Sequence, residues 1–138
     1  MLLARLLIRK ASVPEPTVTQ VTHAGDTVTV SLIGEVDVLT VDRVRVALTE
    51  ALTARPRRIV VDLAELSFID STGLGALIFG FQRARDLGIG FRLAHPTRGV
   101  RQVLVLSGLL EVVELRADSG VGERETDPRR DRPKPLSR

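Results

Sequence analysis

The order of apolar and polar positions along this chain predicts an alternation of strands and helices. Residues 17–23 and 27–33 both alternate Val, Leu or Ile with Thr, Ser or other polar residues. That two-residue period is typical of strands with one buried face. A short turn at 24–26, with Gly25 in its middle, separates the two stretches. We therefore predict that the chain begins its folded part with a β-hairpin.

Three later segments carry apolar residues at the spacing of an α-helix instead. Thr40 and Thr97 precede two of these segments and are predicted to be their N-caps. The expected apolar stripes are Val41, Val44, Leu48 and Leu52 in the first helix, Leu74, Leu77, Ile78, Phe81 and Ala84 in the second (roughly 74–87), and Val100, Val103 and Leu104 in the third.

Short apolar runs between and after these helices predict further strands. Residues 59–63 form a continuous apolar run of the kind found in a central, covered strand. Residues 89–94 and 111–115 are predicted to be two more strands. The resulting order is β-β-α-β-α-β-α-β. We expect an α/β fold with a mixed sheet of about five strands and three to four helices mainly on one side.

Composition limits the kind of protein this can be. With 138 residues the chain is long enough for one domain with a core, and its aromatic fraction is only 3%. The absence of Cys excludes disulfides, thiolate metal sites and a cysteine nucleophile, and fits a cytoplasmic protein. His23 and His95 lie far apart without ligand-like neighbours, so no metal or other cofactor is expected.

The charge of the chain is concentrated at its two ends. Residues 1–10 carry net +3 and residues 116–138 carry net +2, so the total of +3 leaves −2 for the middle. Aromatic side chains that could stack on bases are almost absent from the basic stretches. We therefore expect no direct binding to nucleic acid, despite a pI near 10.5.

The two ends are predicted to lie outside the folded domain at 17–116. Residues 1–16 are expected to form a flexible N-terminal extension, with a Pro-containing linker before the first strand. Arg5 interrupts an apolar run too short for a signal peptide or a membrane span, which leaves an amphipathic or disordered extension, or attachment to a membrane surface. Residues 117–138 are rich in Arg and Pro, nearly free of apolar residues, and predicted to be disordered.

Residues 68–75, Phe-Ile-Asp-Ser-Thr-Gly-Leu-Gly, come after the apolar central strand and before an amphipathic helix. This order places the Ser71 hydroxyl near the N-terminus of that helix. Unpaired backbone N–H groups and a partial positive charge at such an end suit a phosphate group. Taken alone, the residues favour Ser71 as a simple cap over a phosphorylation site and allow Asp70 the same capping role. They also favour Gly73 and Gly75 as points of close backbone approach.

Four motifs in this order resemble the STAS domain, and specifically the single-domain bacterial anti-sigma factor antagonists. The resemblance covers roughly residues 18–115. The motifs are Gly-Glu-Val-Asp at 34–37, Val-Val-Asp-Leu at 60–63, the stretch at 68–75, and Val-Arg-Gln-Val-Leu-Val-Leu-Ser-Gly-Leu at 100–109. Asp-Ser-Thr-Gly-Leu-Gly is moderately specific by itself, and the combination is strong. Leu110 departs from the family, in which Asp is common at that position.

The resemblance implies a cytoplasmic partner-switching protein without catalytic activity. Ser71 matches the phosphorylated serine of the family, and the expected partner-binding residues are Asp37, Asp70, Thr72, Gly73 and Leu74. The unphosphorylated form is expected to bind an anti-sigma factor with serine kinase activity and so free the sigma factor. Phosphorylation by that kinase ends the binding, and a serine phosphatase restores it.

Other functions remain open at this point. Asp37 could be only a turn residue, and Thr72 is expected to be a first-turn residue rather than a second phosphorylation site. A hydrolase with Ser71 as nucleophile and His95 as base is disfavoured because the Gly-x-Ser-x-Gly elbow is absent. An adaptor subunit of a transport complex is another alternative, which the retained serine of Asp-Ser-Thr-Gly disfavours because such adaptors often lack it. An antagonist in a stress-sensing module is a further alternative, which the sequence does not separate from the sigma-factor role.

Overall fold

The computed structural model describes residues 17–113, with side-chain burial described from residue 19. The predicted extension at 1–16 and the predicted tail at 117–138 lie outside the described residues, as does the predicted end of the domain at 116. Their flexibility and the two domain boundaries therefore stay predictions.

Within residues 17–106, four strands and three helices follow one another in the order that the pattern of apolar positions predicted. The elements are β1 (Thr17–Ala24), β2 (Thr27–Val36), α1 (Val41–Thr53), β3 (Arg58–Ile69), α2 (Ser71–Asp86), β4 (Gly90–Ala94) and α3 (Arg98–Leu106). The sheet has the order β1-β2-β3-β4. Strand β1 is antiparallel to β2, whereas β2 with β3 and β3 with β4 run parallel, which confirms a mixed sheet.

A single hydrophobic cluster lies between one face of the sheet and the helices. Alternate residues of β2 and the inward residues of β3 pack in this cluster with the predicted apolar stripe of α1 and with Val100 and Leu104 of α3. Because all three helices contribute to the same cluster, they cover the same face of the sheet. The predicted arrangement with helices mainly on one side is confirmed.

The predicted last strand at 111–115 is wrong for the part that the structure describes. Residues 109–113 are helical, so the described part of the sheet has four strands instead of about five. Leu109, Leu110 and Val113 are buried while the two residues between them are exposed. That spacing is helical, and an apolar run this short does not by its length separate a helix from a strand.

Strand β3 continues well beyond the predicted range of 59–63, and two irregularities interrupt its pairing with β2. The register shifts between Ser31 and Ile33 and again between Gly34 and Glu35. The second shift lies where Gly34 has a φ of 101°, which favours glycine, and where the Ser67 Oγ donates to the Gly34 carbonyl at 2.9 Å. Each extra residue in β3 moves the following side chain to the other face. The buried positions are accordingly Ile59, Val61, Leu63, Leu66 and Ile69.

Candidate functional site

Strands β2 and β3 end side by side, and their carboxyl ends form the edge of the sheet that holds most predicted site residues. Val36 pairs with Ile69, and the Asp70 N–H donates to the Val36 carbonyl at 3.1 Å. Asp37 follows Val36 directly, as Asp70 and Ser71 follow Ile69. The register therefore brings Asp37 to the same edge as the start of helix α2.

Asp70 is the N-cap of α2, and the helix begins at Ser71 rather than near Leu74 as predicted. The Asp70 Oδ1 accepts hydrogen bonds from the Thr72 N–H at 2.9 Å, the Gly73 N–H at 3.1 Å and the Thr72 Oγ1 at 2.5 Å. Helix propensity alone disfavours Ser, Thr and Gly, but the cap satisfies donors that the first turn leaves unpaired. Asp70 and the Thr72 hydroxyl thus form the local scaffold of the site.

The same contacts hold the pKa of Asp70 below its usual range, chiefly through the hydrogen bond from the Thr72 hydroxyl. Partial burial opposes this shift, and the backbone N–H groups of Gly73 and Thr72 add to it. The folded state therefore favours the ionised carboxylate. Its stabilising contribution is fully present above the unfolded pKa of about 3.9 and is lost as the pH falls through the lowered, folded pKa.

We expect Asp70→Asn to make the free energy of unfolding less dependent on pH on the acid side. The amide can still accept at the N-cap, but it has no proton to gain below pH 4, so this part of the acid destabilisation disappears. Asp70→Ala should also lower the stability at neutral pH, because the cap itself is lost. Urea unfolding of the three proteins between pH 2 and 7 measures both effects. Parallel profiles for wild type and Asp70→Asn would contradict the lowered pKa of Asp70 in the folded state.

The Ser71 side chain is exposed and has no hydrogen-bond partner among residues 17–113. It occupies the first position of α2, one residue after the cap. The carboxylate of Asp70 already accepts hydrogen bonds from the N–H groups of Thr72 and Gly73. The Leu74 N–H donates to the Asp70 carbonyl at 3.0 Å. A phosphate on Ser71 would find these donors occupied and a carboxylate beside it, so its charge would be directed to the solvent.

Asp37 forms a tight turn that Thr40 holds in place. The Asp37 Oδ1 accepts from the Leu39 N–H at 2.9 Å, and its carbonyl accepts from the N–H groups of Thr40 and Val41. Thr40 is predicted to cap α1, but its side chain makes no such bond. Instead its Oγ1 accepts from the Asp37 N–H at 3.0 Å and donates to the Glu35 carbonyl at 3.1 Å. Asp37 is therefore a turn residue, and its turn lies at the same edge of the sheet as the start of α2.

Gly73 and Gly75 differ sharply in their surroundings although both lie in the same turn of α2. A methyl group added at Gly73 would lie 2.6 Å from the Ile69 Cγ1 and 2.7 Å from the Val36 Cγ1. The Gly75 position faces open space. Gly73 is buried and Leu74 is packed against the core, so these two predicted partner-binding residues position the helix more than they form its surface.

The buried face of α2 differs from the predicted apolar stripe, because small residues of the helix pack closely against the core. Its buried residues are Gly73, Ala76, Leu77, Gly80, Phe81 and Ala84. Glycine at position 80 brings the helix close to Leu48 of α1 and Phe91 of β4. As a consequence Ile78, which was predicted to be buried, and its neighbour Phe79 are each about two-fifths exposed.

The sequence analysis missed a group of exposed apolar residues at the same edge of the sheet. We call Val38, Leu39 and Phe68 the apolar patch. Leu39 is 87% exposed, Val38 68% and Phe68 48%. Val38 and Leu39 lie in the turn after β2, and Phe68 lies on β3 opposite Glu35. Two adjacent apolar residues in a turn, where polar residues are usual, were the signal that could have revealed this patch.

Within residues 17–113 no three or more His, Asp or Glu side chains are grouped so that they could hold a metal ion. Of the helices in this range, none has the length and apolar character needed to cross a bilayer. The candidate site consists of the Ser71 hydroxyl, the carboxylates of Asp37 and Asp70, and the apolar patch.

Comparison with known proteins points to one family. The family model for the STAS domain matches residues 18–121. An anti-sigma F factor antagonist of Paenibacillus polymyxa is 31% identical over 94 residues, which cover 67% of this chain and 80% of the relative.

Two solved structures of SpoIIAA, an anti-sigma factor antagonist, have the same fold. Its unphosphorylated form superposes with a TM-score of 0.59 at 26% identity, covering 68% of this chain and 84% of SpoIIAA. The phosphorylated form, from Bacillus, gives a TM-score of 0.53 at 26% identity, covering 67% and 85%. The family model, the sequence relative and the shared fold agree, and the chain belongs to the STAS domain family.

Proposed function

We propose that this chain is an anti-sigma factor antagonist whose binding is switched by phosphorylation of Ser71. The observation that carries the proposal is the exposed, unbonded hydroxyl of Ser71 at the first position of α2, directly after Asp70 and at the same edge of the sheet as Asp37. The relatives with matching sequence and fold are named as antagonists of anti-sigma factors, and one has been solved with and without phosphate.

The partner of the unphosphorylated chain would be an anti-sigma factor, and its binding would release a sigma factor. An interface of this kind needs apolar area at its centre and polar groups around it. The apolar patch and the exposed Ile78 and Phe79 of α2 supply exposed apolar area for it. Asp37 and Thr72 lie at the same edge of the sheet as Ser71. Asp37, Asp70 and Thr72 thereby join the polar part of the proposed contact.

Phosphorylation would end the binding by electrostatics. A phosphoserine adds about −1.5 to −2 charges near neutral pH. Asp70 already accepts hydrogen bonds from the N–H groups of Thr72 and Gly73, so the first turn offers the phosphate few donors that could stabilise its charge. Two or more negative groups would then have to be desolvated together when the partner covers the site, which is unfavourable. No rearrangement of the fold is needed for such a switch.

The kinase would be the anti-sigma factor itself, and a serine phosphatase would reset the chain. The role of this chain would be regulatory, in keeping with the names of its relatives, which are antagonists of anti-sigma factors. The cytoplasm is the expected compartment, because an anti-sigma factor and a sigma factor act where RNA polymerase is. Thr72 is not a second phosphorylation site in this proposal, because its hydroxyl already donates to Asp70.

Affinity capture from a lysate of the native host tests the proposal. We expect immobilised wild-type chain to retain an anti-sigma factor, and added Mg-ATP to release it while one phosphate appears on the peptide with Ser71. The Ser71→Ala bait should retain the same protein but not release it with ATP. Release from both baits, or a phosphate on Thr72 instead, would contradict the assignment of Ser71. Capture of a membrane transport complex would favour the adaptor role.

A further inference from the structure

We propose that residues 2–10 dock in cis on the apolar patch formed by Val38, Leu39 and Phe68. The segment is the one part of the sequence with a marked apolar and basic pattern that the proposed function does not use. Three observations support the docking: the place where the chain leaves the sheet, the apolar character of both surfaces, and their opposite charge.

The first observation is the path of the chain. Strand β1 runs antiparallel to β2, and Thr17 pairs with Gly34. The chain therefore enters β1 at the edge where β2 ends, next to the turn that holds Leu39. Leu66, which pairs with Gly34, lies two strands from Thr17, or about 10 Å at the usual strand spacing, and Phe68 follows two residues, or about 7 Å, further along β3. The six residues 11–16 can span up to about 20 Å, enough to bring residues 2–10 onto the patch.

The second observation is that apolar surface is present on both sides. Four leucines, Leu2, Leu3, Leu6 and Leu7, recur at helical spacing within the segment. The apolar patch exposes most of Leu39 and Val38 and about half of Phe68. Burying exposed leucines against such a patch is favourable by roughly 25 cal/mol for each Å² of apolar surface removed from water.

The third observation is charge complementarity. The segment carries Arg5, Arg9 and Lys10 and no acidic residue. The stretches 34–42 and 65–75, which contain the patch, have no Lys or Arg, and the basic residue at this edge is Arg98, next to the Thr97 that donates to the Leu66 carbonyl. Their acidic residues are Glu35, Asp37, Asp42, Glu65 and Asp70. Opposite charges on two tethered surfaces favour their contact and make it sensitive to salt.

A tethered segment has an advantage over a free partner for the same surface. A short linker holds it at an effective concentration in the millimolar range, so even a weak contact is populated. If the patch also binds the anti-sigma factor, residues 2–10 would compete with that partner and weaken its apparent affinity. This consequence rests on the proposed function, whereas the docking itself does not.

Backbone amide NMR of the full chain tests the docking without any partner or phosphate, so its failure is separable from failure of the proposed function. Deleting residues 2–10, or making Leu3→Ser with Leu7→Ser, should shift the amide signals of Val38, Leu39 and Phe68 in the same direction. Raising the salt to about 0.5 M should shift them partly the same way. The shifts should persist on tenfold dilution, because the contact is intramolecular.

A matched pair of surface variants locates the contact. Leu39→Ser should move the amide signals of residues 2–10 towards those of an unstructured peptide. Leu106→Ser, which replaces another leucine that is 79% exposed but lies on α3, should leave them unchanged. The proposal is overturned if the deletion shifts no amide signal of the patch, if the shifted signals lie around Leu106, or if the shifts vanish on dilution. It is also overturned if vesicles of phosphatidylcholine and phosphatidylglycerol bind the wild-type chain and Leu39→Ser equally.

Discussion

Ser71→Asp should weaken binding to the anti-sigma factor by about 100-fold, whereas Ser71→Ala should bind like wild type. A hundredfold change corresponds to about 2.7 kcal/mol, the size expected when a charge beside Asp70 must be desolvated at an interface without a counterion. The alanine variant loses no contact within residues 17–113, because the wild-type hydroxyl makes none. Titration calorimetry with the purified partner measures both affinities.

A charge placed elsewhere on the same helix is the control for this effect. Gln82 is exposed on α2, eleven residues or about 16 Å along the helix axis from Ser71. Gln82→Glu adds a similar charge without a helix-breaking side chain and should change the affinity by less than about threefold. Equal losses for Ser71→Asp and Gln82→Glu would mean that general charge repulsion, rather than the Ser71 site, controls binding. Equal binding by Ser71→Asp and Ser71→Ala would contradict the proposed phosphorylation switch.

Gly73→Ala should lower the free energy of unfolding by about 1–3 kcal/mol, the usual cost of overpacking a well-packed core. The added methyl would lie within 2.7 Å of side-chain atoms of Ile69 and Val36, and both of these residues are buried. Neither side chain can turn towards solvent to make room. The start of α2 must therefore move away from the ends of β2 and β3. Urea unfolding monitored by circular dichroism measures the loss.

Gly75→Ala is a matched control, since it makes the same change two residues further along the same helix. No heavy atom lies within 4 Å of the added methyl, so packing does not oppose it. Alanine is the better helix former, and we expect a neutral effect or a gain of up to about 1 kcal/mol. If the two variants had the same stability, the close approach at Gly73 would not matter to the fold. Reduced partner binding by Gly75→Ala alone would instead show that the partner uses the open space at Gly75.

Periodicity predicted the elements whose buried face follows one regular repeat. The apolar stripe of α1 and the alternation in β2 are examples, because each element meets the core along a single straight face. Thr97 was also predicted correctly as a cap, since its Oγ1 accepts from the Val100 N–H. Local chemistry was sufficient in these places because the contacts join residues close in sequence.

The motif at 68–75 points to the helix start that carries Ser71 through its residue types alone. Asp before Ser-Thr-Gly is a recognisable N-cap pattern, and the capping contacts are local. The sequence alone left open whether Asp70 and Asp37 have structural or functional roles. The structure shows a structural role for both and places both carboxylates at one edge, so the two interpretations are compatible.

What the sequence by itself determined is the order of elements as far as α3, the mixed sheet, the family motifs and the position of Ser71 at a helix start. Only the tertiary structure decided which apolar residues stay exposed. Two irregularities in β3 turn Phe68 outward and Ile69 inward, and close packing at Gly73 and Gly80 rotates α2 so that Ile78 is exposed. Both effects depend on contacts between residues distant in sequence, and a repeat read along one segment carries no information about such contacts.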